Sequence, residues 1–242
     1  MPHKGMTVLD GRLDPSVWGR FPIRNMLAGI DGSMLLHGVG NNVILASDPR
    51  FTADNSGALS HDATDGLTLT TGAAGSNYAV LNSSDKVKLA GNRFVIDVSL
   101  TTGAAAVADD DAAIFLGFTH AKGNPLQDGE LLLVDSTSVV GGSFGLLKKA
   151  DASELNFSSI ADAATATQDD VVTGVDLAAS TQAIRLSADG KGRIEVYADG
   201  VLKKKTAYPS VAEGYLCLAV VNLAADVTVA SFGLQVAFGV AE

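Results

Sequence analysis

The chain contains few charged residues, few aromatic residues and one cysteine. Charged residues make up 18% of it, compared with about 25% in ordinary soluble domains. The single cysteine, Cys217, cannot form an internal disulfide, which excludes a small disulfide-stapled scaffold. No apolar run approaches the ~20 residues of a membrane-spanning helix, and the longest, Tyr215–Val221, has the length of a strand. We therefore expect no membrane partner.

Residues that carry chemistry are scarce and dispersed. None of the five glutamates has an acidic partner at the strand spacing that would place two carboxylates on one face for glycoside hydrolysis. No Gly-x-Ser-x-Gly elbow, phosphate-binding loop or dinucleotide fingerprint is present. We therefore expect a protein that is not an enzyme and holds no organic cofactor. The histidines also lack the spacing of metal ligands: they are His3, His37, His61 and His120.

The charge of the chain is acidic but unevenly distributed. The net charge of −10 argues against duplex nucleic acid as a partner. Residues 1–24 carry net +2, so the remainder carries −12. Residues 1–30 also contain three of the six prolines and the only tryptophan. This composition predicts an extended N-terminal arm over residues 1–30, ahead of a β domain over residues 31–242.

The arm contains the residues that we expect to form an interface. A basic arm on an acidic body suits docking onto an acidic neighbouring subunit, and buried Trp and Arg side chains are typical anchors of protein interfaces. The alternative is a short peptide with ordinary solubilising charges, whose tryptophan covers one end of its own domain. The predicted interface residues are Arg12, Trp18, Arg20, Phe21 and Arg24.

The clearest secondary-structure signal lies in residues 184–206. Ile184 and Leu186 alternate with polar residues, and so do Ile194 and Val196, which is the pattern of strands with one buried face. An Asp-Gly pair at 199–200 suits a type I′ turn, because both central residues need positive φ. We predict three consecutive antiparallel strands here.

Glycine-rich breaks separate further strands along the chain. The 26 glycines make up about 11% of the residues, against an average of about 7%. Short strands with frequent turn signals predict an all-β fold, a two-sheet antiparallel β-sandwich or jelly roll. The polar segment Ser153–Gly174 is predicted to be a long loop with one helical turn. The other predicted strands are Met34–His37, Asn42–Ser47, Leu67–Thr71, Tyr78–Leu81, Arg93–Leu100, Ala113–Thr119, Glu130–Asp135 paired with Ser138–Leu147, Gly214–Val221 and one within Asp226–Phe238.

The last third of the chain resembles concanavalin A-like lectin and laminin-G-like jelly rolls. In those families a Tyr-x-Asp-Gly hairpin is followed by a polar turn with Pro and then by a core strand. The matching residues here are Tyr197–Val201, Tyr208-Pro209 and Gly214–Leu218. Phe94–Val98 and Ile114–Phe118 look like the paired strands that come earlier in such domains. The resemblance covers about residues 90–238 and implies a jelly-roll sandwich.

Two charged clusters have alternative interpretations. Lectin-like sandwiches often hold Ca²⁺ in their loops, so Asp109, Asp110 and Asp111 are candidate ligands for Ca²⁺. Consecutive aspartates project in different directions, however, which favours a solvated turn. Lys203-Lys204-Lys205 is typical of an edge strand protected against unwanted pairing, and it also suits an acidic partner.

The whole chain also resembles tailed-phage virion proteins that carry this jelly roll. The points of likeness are the Gly/Ala/Thr/Asp-rich loops, the lack of an apparent secretion signal and the short arm. This resemblance implies a non-enzymatic virion structural protein, a capsid decoration or cement protein that is made in the host cytoplasm and placed on the capsid surface. It would bind capsid proteins and copies of itself through the arm and the sandwich edges.

Two other functions remain open from the sequence. The first alternative is a carbohydrate-binding, lectin-like module that recognises host-surface glycans as part of a spike or fibre. The second alternative is a polysaccharide-cleaving enzyme, which would need two carboxylates about 5–9 Å apart in a groove.

Overall fold

The computed structural model describes a set of strands and the turns that join some of them. Within residues 1–70 it describes short strands only, as backbone apart from a few side chains. The described residues are 8–9, 12–13, 34–36, 51–55, 58–62, 66–71, 77–102, 112–127, 130–131, 142–149, 154–161, 168–176, 182–222 and 231–241.

The described residues contain twenty strands, numbered β1 to β20 in chain order, which form two large antiparallel sheets and two small hairpins. The first sheet contains, from one edge to the other, β15 (Gln168–Asp176), β14 (Glu154–Ile160), β13 (Ser143–Lys148), β10 (Ala112–Thr119), β19 (Glu213–Asn222), β7 (Tyr78–Ser83) and β4 (Phe51–Asn55), with β8 (Val87–Lys88) also paired to β19. The second sheet contains β18 (Val201–Ala207), β17 (Arg193–Ala198), β16 (Gln182–Asp189), β9 (Arg93–Thr102), β20 (Ser231–Ala241), β6 (Gly66–Thr70) and β5 (Ala58–Asp62), with β3 (Met34–Leu36) also paired to β20. The hairpins join β1 (Val8–Leu9) to β2 (Arg12–Leu13) and β11 (Leu126–Gln127) to β12 (Glu130–Leu131).

The two sheets form a β-sandwich around one hydrophobic core, which confirms the predicted fold class. Phe94 from the second sheet contacts Phe118 from the first, with ring centroids 5.1 Å apart. The first sheet is also buried on its outer face, where Phe115 and Cys217 belong to a second apolar cluster. All eight residues of β10 are buried, so the continuous apolar run that predicts this central strand is explained by burial on both faces.

The predicted strands in residues 184–206 are confirmed as β16, β17 and β18. Ile194 and Val196 are buried, whereas Arg193 is exposed and Glu195 is half-buried. Asp199 and Gly200 have φ of 49° and 76°, and Ala198 pairs with Val201 across the two-residue turn. These values are those of the type I′ turn. The lysine-bearing strand β18 lies at the edge of its sheet, as predicted.

Two predictions about chain organisation are wrong. Ser153–Gly174 is not a loop, because it contains β14 and most of β15. Leu155 and Phe157 lie in the core, while the intervening Asn156 and Ser158 are buried on the other face, so their polar side chains do not mark solvent exposure. The predicted pairing of Glu130–Asp135 with Ser138–Leu147 is also wrong for the residues described, since β12 pairs with β11, and β13 pairs with β10 and β14.

The predicted N-terminal arm lies almost entirely outside the described residues. Within 1–30 the structure describes only the antiparallel pairing of β1 with β2. The predicted strand Asn42–Ser47 is likewise outside the described part. Nor do the described residues contain a helix of sufficient length and apolarity to traverse a lipid bilayer.

Candidate functional site

One rim of the first sheet brings several polar side chains together. β10 ends at Thr119, which pairs with Tyr215 near the start of β19. β13 begins at this same rim with Ser143, because Phe144 pairs with Phe118. Strand ends of an antiparallel sheet therefore place residues that are distant in sequence side by side. We call the following residues the rim site: Asn82, Lys86, His120, Lys122, Ser143 and Tyr215.

The loop after β10 is fixed in place by hydrogen bonds to the strands beneath it. The backbone N–H of Gly123 donates to Oδ1 of Asn82 over 2.9 Å, which ties the loop to β7. Thr119 Oγ1 donates to the carbonyl oxygen of Ala121 over 2.8 Å, and the N–H of Leu126 donates to Oδ1 of Asn124 over 3.0 Å. The loop is thus held in one conformation before any ligand arrives, which lowers the ordering cost of binding.

His120 is oriented by Ser143. The backbone N–H of His120 donates to Ser143 Oγ over 3.2 Å, and the same oxygen lies 2.8 Å from Nδ1 of the imidazole. Since the hydroxyl accepts the backbone proton, its own hydrogen is available to donate to Nδ1, and this assignment leaves the ring proton on Nε2. Burial, with a smaller effect of Lys86, lowers the pKa of His120, so the imidazole is neutral at neutral pH.

The rim site contains two buried nitrogen atoms that lack hydrogen-bond partners. Within the part of the chain that the structure describes, two buried side-chain polar atoms have no hydrogen-bond partner, Nδ2 of Asn82 and Nε2 of His120. Nδ2 of Asn82 has no partner that satisfies hydrogen-bond geometry. The side chain of Asn82 nevertheless interacts with the Cys217 thiol, which lowers the pKa of that thiol against the larger rise caused by burial. Buried polar atoms in proteins are nearly always paired, and two orphans in one cluster mark it as unusual.

Two lysines and an aromatic ring form the exposed part of the rim site. The ammonium groups of Lys122 and Lys86 lie 5.1 Å and 5.7 Å from the ring centroid of Tyr215. Both distances are within the range of cation–π attraction. Nζ of Lys86 also lies 3.2 Å from Oε1 of Glu213, and these side chains are 37% and 49% exposed. The rim therefore presents a half-buried ring beside two positive charges.

The outer face of β17 is the other polar surface, and its groups are already paired. Glu195 accepts hydrogen bonds from Lys205 Nζ over 2.6 Å and from the Tyr197 hydroxyl over 2.8 Å. The bond from Lys205, followed by that from Tyr197, lowers the pKa of Glu195, while the bond to Glu195 raises the pKa of Tyr197. Arg193 and Glu195 lie at the polar positions that alternate with the buried Ile194 and Val196, so this face is the outer face of the strand.

Most of the site residues predicted from the sequence lie outside the described part. This holds for Asp109, Asp110 and Asp111, the candidate Ca²⁺ ligands, and for Trp18, Arg20, Phe21 and Arg24. Arg12 is described as backbone in β2 only. Among the residues that are described, no group of three or more His, Cys, Asp or Glu is arranged to hold a metal ion.

The sequence did not predict the rim site. The available signal is that polar residues interrupt apolar strands at their ends, as Asn82 does in β7 and Thr119 does in β10. That signal does not reveal which strand ends meet. His120 and Ser143 come together only through the pairing of β10 with β13.

Comparisons with known proteins give similarity in structure only. No protein-family model and no curated protein sequence matches the chain. A β-1,3-1,4-glucanase (lichenase) derived from a mouse hindgut metagenome has a TM-score of 0.53 and 10% identity, over 86% of this chain and 97% of that one. A legume lectin-like domain from Entamoeba histolytica has a TM-score of 0.51 and 10% identity, over 77% and 88%.

A further similar structure is the ligand-binding domain of botulinum neurotoxin serotype D, solved in complex with N-acetylneuraminic acid. Its TM-score is 0.52 at 9% identity, over 86% of this chain and 46% of that one. At such identities the likeness shows the fold alone. The fold of this chain is therefore the concanavalin A-like jelly-roll sandwich that the sequence resemblance implies.

Proposed function

We propose that this protein is a carbohydrate-binding, lectin-like module that holds an acidic sugar at the rim site. The observation that carries the proposal is the pair of buried nitrogen atoms without partners there. Nδ2 of Asn82 is an N–H donor, and so is Nε2 of His120 in the tautomer assigned above. The site also contains the cations Lys122 and Lys86, of which Lys86 is paired with Glu213. A ligand that suits this site supplies oxygen acceptors and negative charge. A sugar with a carboxylate, such as a uronic or sialic acid, has both properties.

The half-buried ring of Tyr215 supports a sugar ligand. Sugars combine hydroxyl groups with an apolar ring face, and ligand sites typically combine an aromatic surface with a few well-placed polar groups. The β17 face offers a ring as well, but the Tyr197 hydroxyl and the Glu195 carboxylate there already bind each other. At the rim site Lys86 is paired with Glu213, but Nδ2 of Asn82 and Nε2 of His120 have no hydrogen-bond partner.

Some of the similar solved structures support this function, and a glucanase is similar to the same degree. Those that support it include a lectin-like domain and a ligand-binding domain in complex with N-acetylneuraminic acid. The proposed capsid-decoration role rests on arm residues outside the described part, and no comparison supports it. The similarity to the glucanase is one of fold. The residues that define the rim site include no pair of carboxylates for glycoside hydrolysis, and Ser143 is buried and hydrogen-bonded to His120.

A glycan array with neutral and acidic members tests the proposal. The full chain is applied with CaCl₂ and, separately, with EDTA, so that a requirement for Ca²⁺ at another place in the chain is recognised. We expect binding to glycans with uronic or sialic acid, and weaker binding at high salt because the lysines are exposed. An array without binding in either condition contradicts the function, and binding restricted to neutral glycans contradicts the acidic class.

Matched lysine variants locate the ligand. Lys122→Ala removes one ammonium group next to Tyr215, and we expect roughly tenfold weaker binding by calorimetry, as for loss of one charge-assisted hydrogen bond. Lys191→Ala removes an equally exposed lysine in the turn between β16 and β17 and should leave the affinity unchanged. Equal effects of the two substitutions contradict the rim site as the location.

A further inference from the structure

The large exposed hydrophobic side chains are concentrated on two strands. Among the described residues these are Val171 in β15, exposed by 50%, and Val201 and Leu202 in β18, exposed by 58% and 46%. Scattered apolar side chains on a surface need no explanation, and Val201 and Leu202, as neighbours along one strand, point to opposite faces of their sheet. What the three residues share is that each lies on the last described strand of its sheet, away from the rim site.

The two strands lie along the same side of the sandwich. β15 is the last described strand of the first sheet and β18 is the last of the second. Nζ of Lys204 lies 3.6 Å from Oδ2 of Asp170, so one ion pair bridges the sheets along this side. Lys203 Nζ approaches Gly174, where an added Cβ would be 3.4 Å away. We call the surface formed by these two strands the β15–β18 side.

The order of these contacts shows that β15 and β18 run in opposite directions. Moving along β15 from Asp170 to Gly174 corresponds to moving back along β18 from Lys204 to Lys203. The acidic pair Asp169-Asp170 and the lysines of β18 are therefore at the same height along the strands. Asp169 is paired with Lys149 and Lys205 is paired with Glu195, each within its own sheet. The charge complementarity of this side therefore lies in Asp170 on one sheet and Lys204 on the other.

We infer that the β15–β18 side binds a second copy of this chain about a two-fold axis parallel to the strands. Such an axis exchanges the two sheets and keeps every residue at its height. β15 of each copy then lies antiparallel to β18 of the other, and Asp170 faces the partner's Lys204. Val171, Val201 and Leu202 lie on the two strands that this contact brings together.

Charge selects this axis over the alternative. A two-fold axis perpendicular to the sheets would place β18 against β18, so that lysines would oppose lysines. Like charges on facing edge strands are a common device against such pairing. With the axis parallel to the strands, the same lysines meet aspartates.

The expected dimer is weak. β15 has nine residues and β18 has seven, which at ~3.3 Å per residue gives lengths of about 30 Å and 23 Å. With sheets ~10 Å apart, the side is narrow, and the buried area is at the low end for specific interfaces. We expect dissociation at micromolar concentrations and a marked sensitivity to salt.

Sedimentation velocity of the full chain from micromolar to near-millimolar concentrations tests this inference, with charge-reversal variants. Asp170→Lys places lysine against lysine in its own dimer, and Lys204→Asp places aspartate against aspartate, so each variant alone should be monomeric. In an equimolar mixture both cross-contacts are of opposite charge, and the heterodimer should form. Because the intramolecular pair is broken in both variants, rescue by mixing reports on contact between two copies.

Two controls complete the experiment. Lys191→Asp makes the same change of charge in the turn between β16 and β17 and should dimerise like the wild type, while circular dichroism establishes that every variant is folded. If the wild-type chain stays monomeric at every concentration, the inference is wrong, and a strand of another protein becomes the candidate partner for this side. Dimers that survive both single reversals, or a mixture that stays monomeric, overturn it as well.

Discussion

Nδ1 of His120 lies 2.8 Å from Oγ of Ser143, and this contact joins the loop after β10 to the first residue of β13. The hydroxyl also accepts the backbone N–H of His120. Ser143 is buried, so the imidazole is held against a fixed group and stays neutral. This contact therefore fixes the orientation of the imidazole in the rim site.

Acidification should weaken the fold through His120. Burial lowers the pKa of His120 in the folded chain below the ~6.5 of the unfolded chain. The unfolded chain then binds the proton more readily, so the free energy of unfolding falls as the pH drops below 6.5 and levels off below the folded pKa. Urea unfolding at pH 7.5, 6.5 and 5.5 measures this loss.

His120→Gln is the control for that measurement, because it removes the titrating ring and leaves the carboxylates and the other histidines in place. The wild type should lose more stability than His120→Gln between pH 7.5 and 5.5. Parallel pH profiles of the two proteins would show that His120 is not held neutral by its surroundings.

The thiol of Cys217 should be unreactive in the folded protein. Cys217 is fully buried in the outer cluster of the first sheet, and desolvation raises the pKa of its thiol to about 12. The thiolate is the reactive form, so a thiol-specific chromogenic reagent at pH 8 should label no site in the native chain and one site in guanidinium chloride. Rapid labelling without denaturant would contradict the burial of β19.

Local sequence pattern was sufficient for the strands that have a regular pattern. Ile194 and Val196 alternate with polar residues, and β10 is apolar up to its last residue, Thr119, so both strands were predicted correctly. β14 was missed because Asn156 and Ser158 are polar although buried, and composition alone cannot distinguish a covered polar face from a loop. Burial on the outer face of the first sheet is a property of the tertiary structure.

The rim site was beyond the reach of the sequence for a similar reason. His120 was one of four dispersed histidines, and Ser143 lies 23 positions away from it. The two meet because β10 and β13 pair in one particular register, and Lys122 and Tyr215 meet through the pairing of β10 with β19. Register between strands joined by long connections is set by packing of the core, which local sequence does not specify.

An alanine at either of two facing glycines should severely destabilise the fold. Gly117 in β10 pairs with Gly145 in β13, and the ring of Phe115 lies over both. A Cβ at Gly145 would be 2.5 Å from the carbonyl oxygen of Leu116. A Cβ at Gly117 would overlap the carbonyl oxygen of Phe144. Because backbone must move, we expect a loss of at least about 3 kcal/mol in unfolding experiments, or a failure to fold.

Gly192→Ala is the matched control for the glycine pair. A Cβ added at Gly192 would have no atom within 4 Å, so the substitution causes no overlap. Because its φ is 96°, alanine would add backbone strain alone and lower the free energy of unfolding by about 1–2 kcal/mol. A loss at Gly117 no greater than that at Gly192 would mean that β10 and β13 do not approach as closely as described.

The side chain of Asp199 should stabilise the β17–β18 turn in two ways. Asp199 adopts positive φ, which Asp and Asn tolerate better than most residues, and its Oδ1 accepts the backbone N–H of Ala183 over 3.1 Å. Asp199→Ala loses the acceptor and adds strain, for an expected loss of about 1–3 kcal/mol in the free energy of unfolding. Asp199→Asn keeps an oxygen acceptor and the same backbone preference, so it should cost less than about 0.5 kcal/mol. Equal losses in the two variants would show that the carboxylate charge, rather than turn geometry and the bond to Ala183, is what the turn requires.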